Sequence, residues 1–236
     1  MTMSNNELLH QREAVANLGS ALRGVMVAQS ANEVSPENLA EATRLAHMIT
    51  SLLSGHERDL AQVASVDSLP DAIRYFSPVT GLGNPMSPPL VFDHAGESIV
   101  VRTSLDRRFE GPPGFVHGGV TGLLLDEVLG QAATQAGRWG MTAFLNITYR
   151  RALPLDTELE LTSLIDWTDG RKTHVVGGIA LASDPSVPHV EAEALFIEPR
   201  QEKQQHYFGA LRDLDGIPQS GRHGGTTPLR QQSSRA

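Results

Sequence analysis

The stretch GPPGFVHGGVTGLLLDEVLGQAATQA, residues 111–136, constrains this chain more than any other. A loop rich in glycine and proline ends in His117-Gly118-Gly119 and runs straight into an apolar segment with no proline and no charge before Asp126 and Glu127. The run 120–125 is almost wholly apolar, so a helix here has to be wrapped by other structure rather than packed along one stripe. Gly118 and Gly119 add no side-chain bulk and let another group approach the backbone closely. The first turn of such a helix carries unpaired N–H groups and the positive end of its dipole, both suited to a developing oxyanion. Asp126 and Glu127 then interrupt a buried face, where an ionised group is costly unless it is used or paired. Oxyanion donors and a carboxylate on one element point to acyl chemistry. The alternative reading takes the glycines as tight helix packing and the acids as a solvated edge.

The rest of the chain supplies the wrapping. Residues 97–105 alternate Ile99, Val101 and Thr103 against Ser98, Val100 and Arg102. Further strand patterns cover 142–150, 158–167, 172–182 and 189–197, with Asp169-Gly170 as a strong hairpin turn between the second and third. One long helix followed by a run of antiparallel strands reads as α+β, a curved antiparallel sheet wrapped around a long central helix. Upstream, residues 7–30 place Leu8, Val15, Leu18, Leu22, Val25 and Met26 at helical intervals. A second helix has Ser35 as N-cap, Pro36 at the first position and Glu37 in the first turn, followed by an apolar stripe from Leu39 to Leu53. Two such amphipathic helices could pack as a hairpin on the main domain. Four regions follow: a helical N-terminal extension over 1–65, a Pro/Gly-rich connecting loop over 66–89, the main domain over 90–198, and a C-terminal tail over 199–236. A short helix around 202–211 is expected in that tail. From about 215 onward the scarcity of apolar residues reads as disorder.

The string H-G-G-x-x-x-x-L-L-D-E-x-x-G, residues 117–130, resembles the hotdog-fold acyl-CoA thioesterases of the phenylacetate-pathway (PaaI-like) type. TAFLNITYRR, residues 142–151, resembles the next strand of that family, and Leu153-Pro154-Leu155 the turn after it, with Ala152 in place of a usual proline. The loop S-P-V-T-G-x-x-N-P-x-x-P-P, residues 77–89, is similar to that of a bacterial subgroup with a helical N-terminal extension. The resemblance implies a hotdog fold and hydrolysis of acyl-CoA thioesters to free acid and CoA. It makes Asp126, nine positions after the histidine, the catalytic acid, and puts Thr142 where some members carry an auxiliary Thr or Ser. It also implies dimers or tetramers with shared sites, and a 77–89 loop over the site entrance, although a plain linker would read the same.

In this reading Asp126 acts as general base on water or attacks the thioester itself. The backbone N–H of Gly118 or Gly119 polarises the carbonyl, His117 orients the thioester, and Thr142 positions the water. Asn146 and Phe144, on the same strand, are assigned to substrate binding, and Phe115 and Leu123 are further candidates for an acyl pocket. Gly119 and Asp126 share a helical face but, seven residues apart, lie about 10 Å from each other along the axis. One thioester carbonyl cannot touch both. A site across a two-fold interface reconciles them, so a homo-oligomer, dimer or tetramer, is expected. Glu127 points about 100° away from Asp126 and is assigned to salt bridging or the interface.

Composition narrows the partners. The formal net charge of −8 argues against nucleic acid, and a polyanionic CoA therefore needs a local basic patch. Arg150-Arg151 and Arg171-Lys172 are the two candidates for its phosphates. Zero cysteines exclude disulfides, thiolate catalysis and Cys-ligated metal. The nine histidines form no ligand cluster, so no metal and no cofactor is expected, the CoA thioester entering only as substrate. No P-loop, dinucleotide fingerprint, nucleophile elbow or H-E-x-x-H motif is present. No apolar run reaches the roughly 20 residues of a membrane span, and no basic-then-apolar leader opens the chain, so a cytoplasmic location is expected. Two other functions compete. A 3-hydroxyacyl/enoyl thioester dehydratase-hydratase would pair His117 with Asp126, but its D-x-N-P-x-H signature is missing. A non-catalytic acyl-CoA sensor would not need the acid.

Overall fold

The computed structural model describes residues 4–55, 57–60, 62–68, 74–95 and 98–200. The expected short helix at 202–211 and the rest of the tail lie outside these residues. Alternation of apolar and polar residues produces six strands: β1 (Asp93–Ala95), β2 (Ser98–Ser104), β3 (Met141–Tyr149), β4 (Glu158–Asp169), β5 (Lys172–Leu181) and β6 (Asp184–Ile197). They form one antiparallel sheet in the order β1-β2-β4-β5-β6-β3. Helix α3 (Gly118–Gln135) packs against β2, β3, β4, β5 and β6, which is the wrapping its apolar circumference demands.

The core lies between this helix and the concave face. Leu124, Leu125, Val128 and Leu129 of α3 are fully buried among Ile99, Val101, Leu159, Leu161, Val175 and Ala194. Each such side chain contributes about 1.5–3 kcal/mol relative to exposure. The buried Ser163 hydroxyl, on the same face, donates to the Val128 carbonyl at 2.8 Å, so its burial leaves no unmet polar group. At the β4–β5 hairpin Asp169 pairs with Lys172 and Gly170 takes φ +52, a left-handed conformation that favours glycine.

Strand β6 begins five residues before the expected 189. Pro185 and Pro188 hide its start, because proline cannot donate to a ladder. The sheet accommodates Pro188 opposite Ala180 through register shifts on either side of that residue. Strand β3 follows α3 in sequence and sits at the far edge, hydrogen-bonded among the described residues to β6 alone, with its other edge unpaired among them.

Helices α1 (Asn5–Ala31) and α2 (Pro36–Leu53) start at the side chains of Ser4 and Ser35, Ser4 completing a capping box with Glu7. Helix α1 seats its buried Gly19 on the 77–90 segment, where a Cβ would run into the Leu82 carbonyl oxygen. Arg12 donates to Val66 O at 2.8 Å, and Arg23 to Leu82 O and Asn84 O at 2.8 and 3.1 Å. From the other side Arg108 holds Pro85 O at 2.9 Å while paired with Asp106. Burial works to raise the Asp106 carboxyl, but the hydrogen bonds and charge of Arg108 outweigh it and hold it below the usual carboxylate range. The 77–90 segment is therefore built in, with Val79 and Leu90 in the core. Helix α2 departs from the expected hairpin: none of its residues is buried, and Leu39, Leu45, Leu52 and Leu53 stay exposed. Among the described residues, no helix is long and apolar enough to cross a membrane.

Candidate active site

The loop before α3 doubles back on itself. Gly111 N–H donates to Phe115 O, Val116 N–H to Leu153 O, and His117 N–H to Phe109 O, each at 2.9 Å. Gly111 is obligatory here, since a Cβ would meet the His117 Cα at 2.8 Å. This places His117 as the N-cap of α3 in extended backbone, φ −66 and ψ 132. Its Nδ1 accepts the Gly119 N–H at 3.0 Å, and its carbonyl accepts from Val120 and Thr121 at 3.0 and 3.2 Å. Of the first-turn donors, Gly118 N–H is the one with no hydrogen bond among the described residues. The two glycines admit close approach by the chain's own rings. Tyr149 lies over Gly118, its oxygen 3.4 Å from where a Cβ would stand, and the His117 ring lies 3.2 Å from the corresponding point at Gly119.

One face further along α3, Asp126 accepts the Thr142 hydroxyl at Oδ1 over 2.9 Å. The side chain is half-buried, so its second oxygen remains open to water. Thr142 reaches it because of a β-bulge. Leu145, Ile147 and Tyr149 face α3, whereas Phe144 and Asn146 face away; strict alternation would turn Thr142 away with them. The register shift between Thr142 and Phe144 brings Thr142 round to the helix side.

The same bulge separates the other predicted residues from Asp126. Phe144 stands on the convex face near His174, ring centroids 6.3 Å apart. Asn146 donates to Glu193 Oε1 at 3.0 Å on that face. This bond, opposed by desolvation and helped by His174, holds the Glu193 carboxyl below the usual carboxylate range. His174 is itself buried between Asp166 and Glu193, at 3.0 and 3.3 Å, and stacks on Trp167. The structure thus does not bring Phe144 and Asn146 to the helix-side site, because the strand's alternation turns them outward.

The two basic pairs lie at opposite ends of the sheet. Arg150 pairs with Glu191 at 2.7 Å and Arg151 donates to Pro188 O at 3.1 Å. With Gly118, Tyr149 and Val116 they line a cavity of about 330 Å³ at the N-terminus of α3. Arg171 and Lys172 sit at the β4–β5 turn, where Arg171 donates to the Glu198 carbonyl. Glu127 accepts from Gln131 at 3.1 Å, one helical turn on; of the two roles expected of it, salt bridging or the interface, it makes no salt bridge among the described residues. Phe115 and Leu123 are exposed. Tyr149 escapes sequence reasoning, although its parity with Leu145 and Ile147 marks it as facing the helix. Its hydroxyl donates to the Gly118 carbonyl at 2.8 Å. Among the described residues no cluster of three or more His, Asp or Glu is arranged to hold a metal.

Residues 113–187, the span from this loop to β6, match the family model described as "Thioesterase superfamily". The chain is 37% identical over 89 residues to the acyl-coenzyme A thioesterase THEM4 of Xenopus laevis, covering 38% of this chain and 40% of that protein. It is 39% identical over 94 residues to the Mus musculus THEM4, covering 40% of each. The chain therefore spans about two fifths of the length of these curated relatives. A crystal structure of a thioesterase superfamily protein superposes with a TM-score of 0.68 at 32% identity, covering 78% of this chain and 90% of the other.

Proposed function

The chain belongs to the thioesterase superfamily and has its hotdog fold, and from that premise we propose that it hydrolyses acyl-CoA thioesters to the free acid and CoA. The observation that carries this reading is the Thr142–Asp126 hydrogen bond, on the same open edge of α3 and β3 as the unengaged Gly118 N–H. A carboxylate with one oxygen held and one exposed can take a proton from water. As the water oxygen bonds to the thioester carbon, negative charge moves to the carbonyl oxygen, where Gly118 N–H and the α3 dipole stabilise it. Collapse breaks the C–S bond and CoA leaves as the thiolate. Alternatively Asp126 attacks first and water hydrolyses the resulting anhydride; both routes use the same carboxylate.

Asp126 and Gly118 of one subunit are too far apart on one helix to share a carbonyl, and the β3 edge, unpaired among the described residues, supports a site shared between two subunits. An unpaired edge strand is a template for pairing with another chain. If β3 pairs antiparallel with its copy about its central residue, Leu145, the bulge puts Thr142 opposite Ile147 of the partner subunit, both on the helix side. That sets Asp126 beside the partner subunit's Tyr149 and Gly118, and completes two sites per homodimer. The cavity lined by Arg150 and Arg151 supports their role at the nucleotide phosphates, next to the Gly118 end. Arg171 and Lys172, with carbonyl and ladder contacts at a hairpin tip, have weaker support for it.

The test is a panel of short, medium, long and aromatic acyl-CoAs with detection of free thiol. Thiol release from at least one member is the expected outcome. Hydration of an enoyl-CoA without thiol release would replace this reading with a hydratase, and binding without turnover would replace it with a sensor.

A further inference from the structure

We propose that Tyr149 is a positioning residue, which sets the hydrogen-bonding state of His117 through a single peptide unit; the kinetic part of this inference rests on the thioesterase reading. The Tyr149 hydroxyl donates to the Gly118 carbonyl at 2.8 Å. That carbonyl and the Gly119 N–H belong to the same peptide unit, and the Gly119 N–H donates to His117 Nδ1 at 3.0 Å. A hydrogen bond accepted by a peptide carbonyl strengthens its N–H as a donor, so the two bonds reinforce one another. A neutral imidazole that accepts at Nδ1 carries its proton on Nε2. The chain Tyr149, Gly118–Gly119, His117 therefore presents Nε2–H as a second donor at the exposed end of α3, in addition to the Gly118 N–H, which has no hydrogen bond among the described residues. A second donor at this end adds to the stabilisation of a thioester oxyanion. The seat is made by glycine: a Cβ at position 119 would stand 3.2 Å from His117 Nδ1 and Cε1 and press the ring out of its cap. Tyr149 thus acts on the carbonyl through His117 and the first turn of α3.

The experiment uses Tyr149→Phe in the full chain, which removes the hydroxyl and keeps the ring over Gly118. Turnover of the best acyl-CoA should fall about tenfold at unchanged KM, the scale of one hydrogen bond strengthening a transition-state donor. In ¹⁵N NMR the His117 ring should shift from the Nε2–H tautomer toward a mixture. Gly119→Ala should reproduce the tautomer change by another route. Unchanged kcat with an unchanged His117 spectrum overturns the proposal. So does a parallel loss in KM and thermal stability with the tautomer intact, which would make Tyr149 a packing residue. If the wild type releases thiol from no acyl-CoA, the thioesterase reading falls, and the His117 spectrum alone then decides for or against Tyr149.

Discussion

Seven residues along α3 separate two clusters that the chain holds in contrasting ways. At the Gly118 end nearly every polar group is engaged inside the subunit: Tyr149 on the Gly118 carbonyl, Gly119 on His117 Nδ1, Val120 and Thr121 on the His117 carbonyl. Among the described residues one backbone N–H, that of Gly118, is left over. At the Asp126 end the carboxylate has, among the described residues, a single hydrogen bond, from Thr142, on a side chain half open to solvent. A donor that stabilises charge works best when it is fixed before the reaction. A base has to exchange protons and admit water, so locking both of its oxygens would defeat it. The first end is preorganised and the second is accessible, and neither is a complete site.

The largest effects are expected from removing the working group at each end. Asp126→Asn keeps the acceptor for Thr142 but removes the base and nucleophile, and should lower turnover on the order of 100-fold or more. Gly118→Pro deletes the leftover N–H at the first helical position, where proline is tolerated, and His117 already has the extended conformation that precedes proline. Its turnover should fall on the order of 100- to 1000-fold with the fold retained by circular dichroism. Wild-type thiol release from either variant would remove that end from the mechanism.

A mixing experiment gives a smaller signal and is sharper about geometry. Either variant alone is nearly inactive. After dissociation and random reassociation, half of the dimers are mixed, and each of these has one site with both Asp126 and Gly118 intact. About a quarter of wild-type activity should return. No recovery would put both groups in one subunit and end the two-fold arrangement. The smallest effect is expected at Glu127, whose contact is with Gln131 on its own helix. Glu127→Gln should stay within about twofold of wild-type turnover. A loss as large as that of Asp126→Asn would show that the acid was assigned to the wrong one of two neighbours.

Much of the fold is written in local pattern. The apolar run after His117-Gly118-Gly119 becomes the wrapped helix, alternation over Ile99 and Val101 becomes a strand with one buried face, and Ser35-Pro36 becomes a capped helix start. Each depends on a few neighbouring residues and their backbone preferences. The start of β6 is obscured because two prolines argue against a strand that a register shift then allows. The exposure of α2 is equally illegible, since an amphipathic stripe reads the same whether or not something covers it.

The sequence alone determined that one long apolar helix would be enclosed by an antiparallel sheet, and that His117, the two glycines and Asp126 would share that helix, because periodicity and capping act over a few residues. What those groups touch comes from the packing of distant segments. A one-residue bulge turns Thr142 toward Asp126 while leaving Phe144 and Asn146 on the opposite face. The edge position of β3 lays Tyr149 on the Gly118 carbonyl, 31 positions away in the chain. A bulge and a strand order are set by how distant segments pair across the sheet, and no residue's own preference encodes them.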